Sequence, residues 1–193
     1  MSVYTFRDER DLLWYSTVFS SADRESAYVI DGLMHNEVVK SDIHSTDTFG
    51  FSELVFGVSH LLGFSYAPGF KNLKRQRLYI FKSRQGLDRS AWKIKPAGYI
   101  DDELAIQHWD DMLRLIATIK LKEVTASDLF RRLNSYSKQH ALYQALKAFG
   151  QILKSLFILR LIDDPALRQA IQKAAGSDCT RHGAILQVEA HLQ

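Results

Sequence analysis

The sequence is poor in cysteine and has no long apolar run. Its one cysteine, Cys179, excludes an intramolecular disulfide and a cysteine-rich zinc site, and such a chain suits a reducing compartment. The N-terminal residues are mixed with charges and contain no apolar signal-peptide core, and no stretch reaches the roughly 18 apolar residues of a spanning helix. We therefore expect a cytoplasmic protein, associated with the nucleoid if it binds DNA, and no membrane partner.

Low-complexity segments and internal repeats are absent too, and acidic residues are scarce in one region. The 193 residues are 46% hydrophobic and 24% charged, which is typical of one globular domain or one domain with a large insertion. The whole chain carries a net charge of +3, but residues 71–95 hold nine Lys and Arg against a single acidic residue, Asp88. This asymmetry indicates a partner of opposite charge.

The basic segment, residues 71–95, predicts nucleic-acid binding. In KNLKRQRLYIFKSRQ the cations interleave with apolar residues, a pattern that suits contact with a phosphate backbone while the apolar side chains anchor to the core. The alternative is a strand edge protected by charge, but the excess of cations is larger than edge protection requires. The candidate DNA-binding residues are Lys71, Lys74, Arg75, Arg77 and Lys82.

Hydrophobic periodicity predicts an α/β block followed by an all-helical block. The first block contains a β-hairpin, a helix, a strand at Ile43–Thr46, a helix that ends at Gly63 and a short strand at Arg77–Phe81. In the second block, a long apolar-faced helix covers residues 141–162 and another runs from Pro165 to Gly176. The predicted divisions are 1–100, 101–175 and a divergent C-terminal tail at 176–193.

Asp47 is the first candidate for chemistry, because it follows a predicted strand and precedes a helix. A carboxylate held there by rigid backbone suits a hard divalent cation. The competing interpretation is a helix cap, since Thr46, Asp47, Thr48 and Ser52 are all good N-cap residues. A nuclease site built from His44, Asp47 and His60 is a further hypothesis, although structural histidines are favoured.

Several segments resemble the catalytic region of the replicative transposases of class II bacterial transposons, the "Tn-three" family. The most specific are STDT-x-G at 45–50 and LNSYSKQHALYQAL at 133–146, and the resemblance covers about residues 2–175. It implies a ribonuclease-H-like core interrupted by a helical insertion. It also implies that two Asp and one Glu hold divalent metal ions, Mg²⁺, for DNA cleavage and strand transfer. Asp47 would be the second of these acidic ligands, both catalytic and metal-binding.

The resemblance leaves the other two acidic ligands unassigned. In the family the first Asp precedes the YTF segment, and the Glu follows the insertion, beyond the point near Gly176 where the resemblance stops. Glu189 lacks the surrounding family pattern, and the remaining candidates do not lie in the required strand; they are Asp11, Asp23 and Asp31. We therefore expect an incomplete ribonuclease-H-like core, a transposase fragment that is inactive alone.

The expected partners are DNA and, by hypothesis, a full-length transposase or a second copy of the chain. The alternative function is a non-catalytic module that binds DNA or acts on a full-length transposase through shared surfaces.

Overall fold

A computed structural model describes residues 2–8, 13–19, 25–35, 43–45, 52–70, 72–135, 140–176 and 185–189. Its strands are β1 (Ser2–Asp8), β2 (Leu13–Phe19), β3 (Ile43–Ser45), β4 (Tyr79–Phe81), β5 (Gly98–Ile100) and β6 (Ile185–Glu189). Its helices are α1 (Glu25–His35), α2 (Glu53–Leu62), α3 (Asp102–Gln107), α4 (Trp109–Lys120), α5 (Ala126–Ser135), α6 (Ala141–Asp163) and α7 (Pro165–Gly176). The predicted mixture of α-helices and β-strands is confirmed, although strand β6 follows the helical block.

The larger sheet has the strand order β2-β1-β6-β3. Strands β1 and β2 form the predicted antiparallel hairpin, with Ser2 opposite Phe19. Strand β6 lies between β1 and β3, parallel to the first and antiparallel to the second. The sequence did not predict β6, because five residues give little periodicity and both partner strands are far away along the chain.

Helix α1 covers the hairpin with an apolar face. Ala27, Ile30 and Leu33 are buried, as a helical stripe requires. At Gly32 the helix meets the fully buried ring of Phe6, and a Cβ there would overlap that ring. Glycine at this position therefore lets α1 lie directly on strand β1.

Helix α2 is bounded by two local signals. Ser52 is its N-cap, and its side chain accepts a hydrogen bond from the backbone N–H of Val55 at 3.3 Å. Gly63 ends the helix with φ of 92°, a left-handed conformation that favours glycine. The predicted end at Gly63 is confirmed. Between these ends α2 is mostly apolar and buried, because it packs between the sheet-bearing part of the core and α6.

Helices α2 and α6 approach each other very closely at two glycines. A Cβ on Gly150 would overlap the carbonyl oxygen of Glu53, and one on Gly57 would lie 3.2 Å from the carbonyl oxygen of Leu146. Beside this contact, buried Lys154 of α6 donates from Nζ to Oε1 of Glu53 at 3.3 Å. Backbone packing and a partly buried ion pair thus fix α6 against the start of α2.

Helix α5 begins on a carboxylate from α1. Asp31 Oδ1 accepts a hydrogen bond from the backbone N–H of Ala126 at 2.6 Å, and both carboxylate oxygens lie within 3.3 Å of the backbone nitrogen of Ser127. Thr125 adds a local cap by accepting from the N–H of Asp128 at 3.1 Å. A negative charge is favourable at a helix N-terminus, so Asp31 joins the first block to the helical block.

One continuous apolar core includes residues from the hairpin, α1, α2, α4, α5 and α6. The smaller sheet, β4 paired in parallel with β5, packs on α6 through a second cluster that includes Ile100, Ala105 and Ala148. Strand β4 matches the predicted strand, whereas β5 was not predicted. In the described part of the chain, every helix is too short or too polar to cross a bilayer.

The α2–α6 contact predicts a large effect of Gly150→Ala. The added methyl would push the helices apart, so we expect the free energy of unfolding to fall by about 2 kcal/mol, despite a helix-propensity gain of up to ~1 kcal/mol. Urea unfolding followed by circular dichroism measures the change.

Gly86→Ala is the control, because a Cβ at Gly86 would meet nothing within 4 Å. Its stability should differ from the wild type by less than about 0.5 kcal/mol. A Gly150→Ala variant as stable as this control would contradict the close helix contact.

Candidate nucleic-acid interface

The predicted DNA-binding residues lie on both sides of strand β4. Lys74 and Arg75 are exposed on a short 3₁₀ turn at Leu73–Arg75, and exposed Arg77 follows it. Lys82 begins a second 3₁₀ turn directly after β4. Lys71 lies outside the described residues. The structure therefore brings four of the five predicted cations to the ends of one short strand.

Helix α6 holds this strand in place. The backbone N–H of Tyr79 donates to Oγ of buried Ser155 at 3.1 Å, and the N–H of Ala97 donates to the carbonyl oxygen of Leu78 at 2.8 Å. Burial of Tyr79 and the nearby Glu53 carboxylate raise the pKa of its hydroxyl, and Arg77 opposes this shift. The hydroxyl therefore stays protonated at neutral pH, and Arg77 is held beside it.

The four described cations are not equivalent. Lys82 Nζ lies 3.5 Å from Oδ2 of Asp101, which leaves its charge partly compensated. Both side chains are exposed, so this ion pair is worth at most ~1 kcal/mol and a phosphate can replace it. Among the residues that the structure describes, Lys74 and Arg75 form no ion pair, so their charges face solvent uncompensated.

Residues 82–97, here called the β4–β5 loop, carry the rest of the positive charge. They include five basic residues and one acidic residue, and nearly all are exposed. At the loop's start, Ser83 Oγ donates to Asp102 Oδ2 at 2.7 Å, and this bond lowers the pKa of Asp102. Within it, the N–H of Ser90 donates to Asp88 Oδ1 at 2.9 Å and lowers the pKa of Asp88. Both carboxylates are therefore ionised and hold the loop at neutral pH.

Arg89 ties the middle of this loop to strand β5. Its Nη2 donates to the carbonyl oxygen of Gln85 at 2.8 Å and to the hydroxyl of Tyr99 at 2.7 Å. The guanidinium also lies 5.2 Å from the centroid of the Tyr99 ring. The DNA-binding residues predicted from the sequence end at Lys82, although Trp92-Lys-Ile-Lys95 shows the same alternation of cations with apolar residues.

Asp47, the predicted catalytic and metal-binding residue, lies outside the described residues, between the end of β3 and the N-cap of α2. The structure does test the competing interpretation, in which Asp47 is the N-cap of helix α2. Helix α2 is capped by Ser52, whose hydroxyl accepts from the N–H of Val55. Asp47 is therefore not the N-cap of α2.

The other acidic candidates do not form a metal site in the described part of the chain. Asp31 caps α5. Glu189 pairs with Ile43, the first residue of β3, whereas the chain continues to Asp47 from the last residue of β3. Asp11 and Asp23 lie outside the described residues. No group of three or more His, Cys, Asp and Glu side chains is placed to share a metal among the residues described.

The histidine hypothesis gains no support from the described residues. His44 lies in strand β3, whereas His60 is exposed near the end of α2, where its ring centroid lies 6.0 Å from that of Phe149. His60 thus has an ordinary packing role against α6.

Comparison with known proteins identifies the family of this chain. The family model described as "Tn3 transposase DDE domain" matches residues 1–185, which is nearly the whole chain. The chain belongs to this family, and the family predicted from the STDT and LNSYSKQH segments is confirmed.

Three curated relatives are transposases of bacterial transposons. The transposase for transposon Tn2501 of Escherichia coli is 35% identical over 195 residues, covering 99% of this chain and 19% of the relative. The transposase for transposon Tn3926 of Escherichia coli is 38% identical and that for Tn1546 of Enterococcus faecium 32%, covering 87% and 89% of this chain. The chain spans less than a fifth of the length of these relatives.

Proposed function

We propose that this chain is part of a transposase catalytic region and contributes to metal-dependent cleavage and joining of DNA strands. The observation that carries the proposal is the family match over residues 1–185, with the Thr-Asp-Thr motif around Asp47 inside it. The element order hairpin, α1, β3, α2, with helices α3 to α7 after the basic segment, supports a ribonuclease-H-like core with a helical insertion.

Asp47 is the residue that we assign to the metal. It follows a strand by two positions and is free of the α2 capping role, which Ser52 fills. Mg²⁺ is commonly bound through one or two carboxylates while it keeps several waters, so a single Asp can contribute one ligand. When bound, the ion would activate a water or a DNA 3′-hydroxyl for attack on a phosphodiester. One assigned carboxylate of three leaves the site incomplete, so the chain alone should not cleave DNA.

The basic segment is the surface that we assign to the DNA backbone. Lys74 and Arg75 face solvent, and β4 beside them is fixed to α6 through Ser155. Cations presented from a rigid backbone can bind phosphates without first ordering the chain that carries them. Arg77 and Lys82 extend the same surface, and a phosphate would replace Asp101 as the partner of Lys82.

Partners other than DNA are assigned to the helical block. Helix α6 exposes Leu156 and Leu159 by 58% and 46%, on a helix whose other side is buried against α2. Such apolar exposure suits contact with the rest of a full-length transposase or with a second copy of the chain.

The DNA assignment predicts that the triple variant Lys74→Ala, Arg75→Ala, Arg77→Ala binds random duplex DNA more weakly than the wild type. The slope of log affinity against log salt should become shallower by about 0.9 for each phosphate that the variant no longer neutralises. Fluorescence anisotropy at several salt concentrations measures both quantities.

A matched control removes the same charge from the helical block with Lys120→Ala, Arg131→Ala and Arg132→Ala, all exposed residues. It should keep the wild-type salt slope. Equal losses of affinity in the two triple variants would show that only net charge matters and would contradict a defined binding surface.

The metal assignment predicts that Mn²⁺, a paramagnetic substitute for Mg²⁺, broadens the backbone amide signals of Ile43–Ser45 in NMR spectra. Asp47→Asn should abolish this broadening, because the neutral amide is a poorer ligand of similar shape. Glu103→Gln, an exposed acidic residue on α3, should leave it unchanged. Broadening that persists in Asp47→Asn would rule out Asp47 as the ligand.

The partner assignment predicts that the chain co-purifies with a full-length relative and that Leu156→Glu with Leu159→Glu abolishes this association.

The chain alone should show no metal-dependent nicking of plasmid DNA. Nicking that disappears in Asp47→Asn would contradict the inference that this chain is inactive without a partner.

A further inference from the structure

The β4–β5 loop is long and exposed, yet side-chain hydrogen bonds hold it in place. It connects two short parallel strands through sixteen residues whose only regular structure is the 3₁₀ turn Lys82–Arg84. Loops of this length without their own secondary structure are often functional. The bonds from Ser83 to Asp102 and from Arg89 to Tyr99 nevertheless fasten it at its start and its middle.

The loop also exposes apolar and aromatic side chains. Trp92 is 40% exposed, Leu87 47% and Ile94 43%, and Tyr99 in strand β5 is 44% exposed. Trp92 lies in a turn closed by a hydrogen bond from its N–H to the carbonyl oxygen of Arg89, at 3.1 Å. Arg89 therefore binds Tyr99 through its side chain and contributes its carbonyl oxygen to the turn that contains Trp92.

Cations alternate with these apolar residues. Lys93 and Lys95 flank Ile94 and follow Trp92, and all four side chains are exposed. The core of a protein-binding surface is normally depleted of such charge. Exposed aromatic rings interleaved with Lys and Arg are instead typical of surfaces that bind single-stranded nucleic acid, where bases stack on the rings and cations contact the phosphates.

We propose that the β4–β5 loop binds unpaired DNA, with a base stacked on Trp92 and the flanking phosphates held by Lys93 and Lys95. A base in an intact duplex is stacked between its neighbours, so its face is not available to Trp92. Arg89 is a positioning residue, because its guanidinium is occupied by Gln85 and Tyr99. The inference rests on the proposed function as a DNA-acting domain and adds a preference for single-stranded DNA next to the duplex-binding cations.

The test compares binding of a fluorescently labelled oligothymidylate with binding of a random duplex of the same length, using the full chain. Trp92→Ala should weaken single-strand binding by about 5- to 100-fold, the range for removal of one base–aromatic stack, and leave duplex binding within about twofold. Trp92→Phe should restore most of the single-strand affinity. The salt slope should be unchanged in both variants, because each keeps every cation that neutralises a phosphate.

Trp109→Ala is the matched control, since Trp109 is also 40% exposed but packs edge-to-face against Phe149 in the helical block. It should not change single-strand binding. In a chain with Trp14→Phe and Trp109→Phe, the fluorescence of Trp92 should be quenched by oligothymidylate.

The outcomes separate this inference from the proposed function. Duplex binding without single-strand binding, or equal effects of Trp92→Ala on both ligands, would overturn the Trp92 site alone. Absence of binding to either DNA would overturn both. Quenching of Trp92 together with a weakening confined to the single strand would support the site.

Discussion

Helices α2 and α6 meet backbone against backbone, and much of the structure depends on this contact. Gly150 lies so close to the Glu53 carbonyl that no side chain fits between them, and the Lys154–Glu53 ion pair lies one helical turn further along. The start of α2, which follows the segment that contains Asp47 in the sequence, is therefore held against α6. Helix α6 thus packs against the first block through α2 and belongs to the same apolar core as helices α4 and α5 of the helical block.

The same helix positions the nucleic-acid surface. Ser155 directly follows Lys154, and it accepts the hydrogen bond from the N–H of Tyr79. Glu53, the partner of Lys154, also contributes to the raised pKa of Tyr79. The start of α2 and strand β4 are therefore both held by α6, although they are separated along the chain.

Local signals predicted much of the fold, and long-range pairings did not. The hairpin, the end of α2 at Gly63 and the helix from Pro165 to Gly176 follow from alternation, a left-handed cap and a proline at the first turn. Strands β5 and β6 were missed because each is stabilised by partners that no short window of sequence contains. The Asp31 cap on α5 was missed for the same reason, since 95 residues separate the carboxylate from the N–H of Ala126.

The candidate site, like the fold, was predictable from the sequence only where the signal is local. Composition alone located the basic segment, because nine cations against one acidic residue can be counted without knowledge of the geometry. Which cations remain uncompensated depended on the Lys82–Asp101 pair and on the Arg89–Tyr99 contact, and both require the fold to be known. The motif around Asp47 indicated the family from the sequence, whereas only the structure shows that Ser52 is the N-cap of α2.

The position of β6 has a consequence for how the protein is made. Its residues leave the ribosome after α3 to α7, yet they form an inner strand between β1 and β3. The hairpin and β3 must therefore wait through synthesis of the entire helical block before this pairing can form, and such distant strand pairing is intrinsically slow. During that interval the helical block, whose contacts are more local, is able to fold first and to serve as the surface on which the sheet closes.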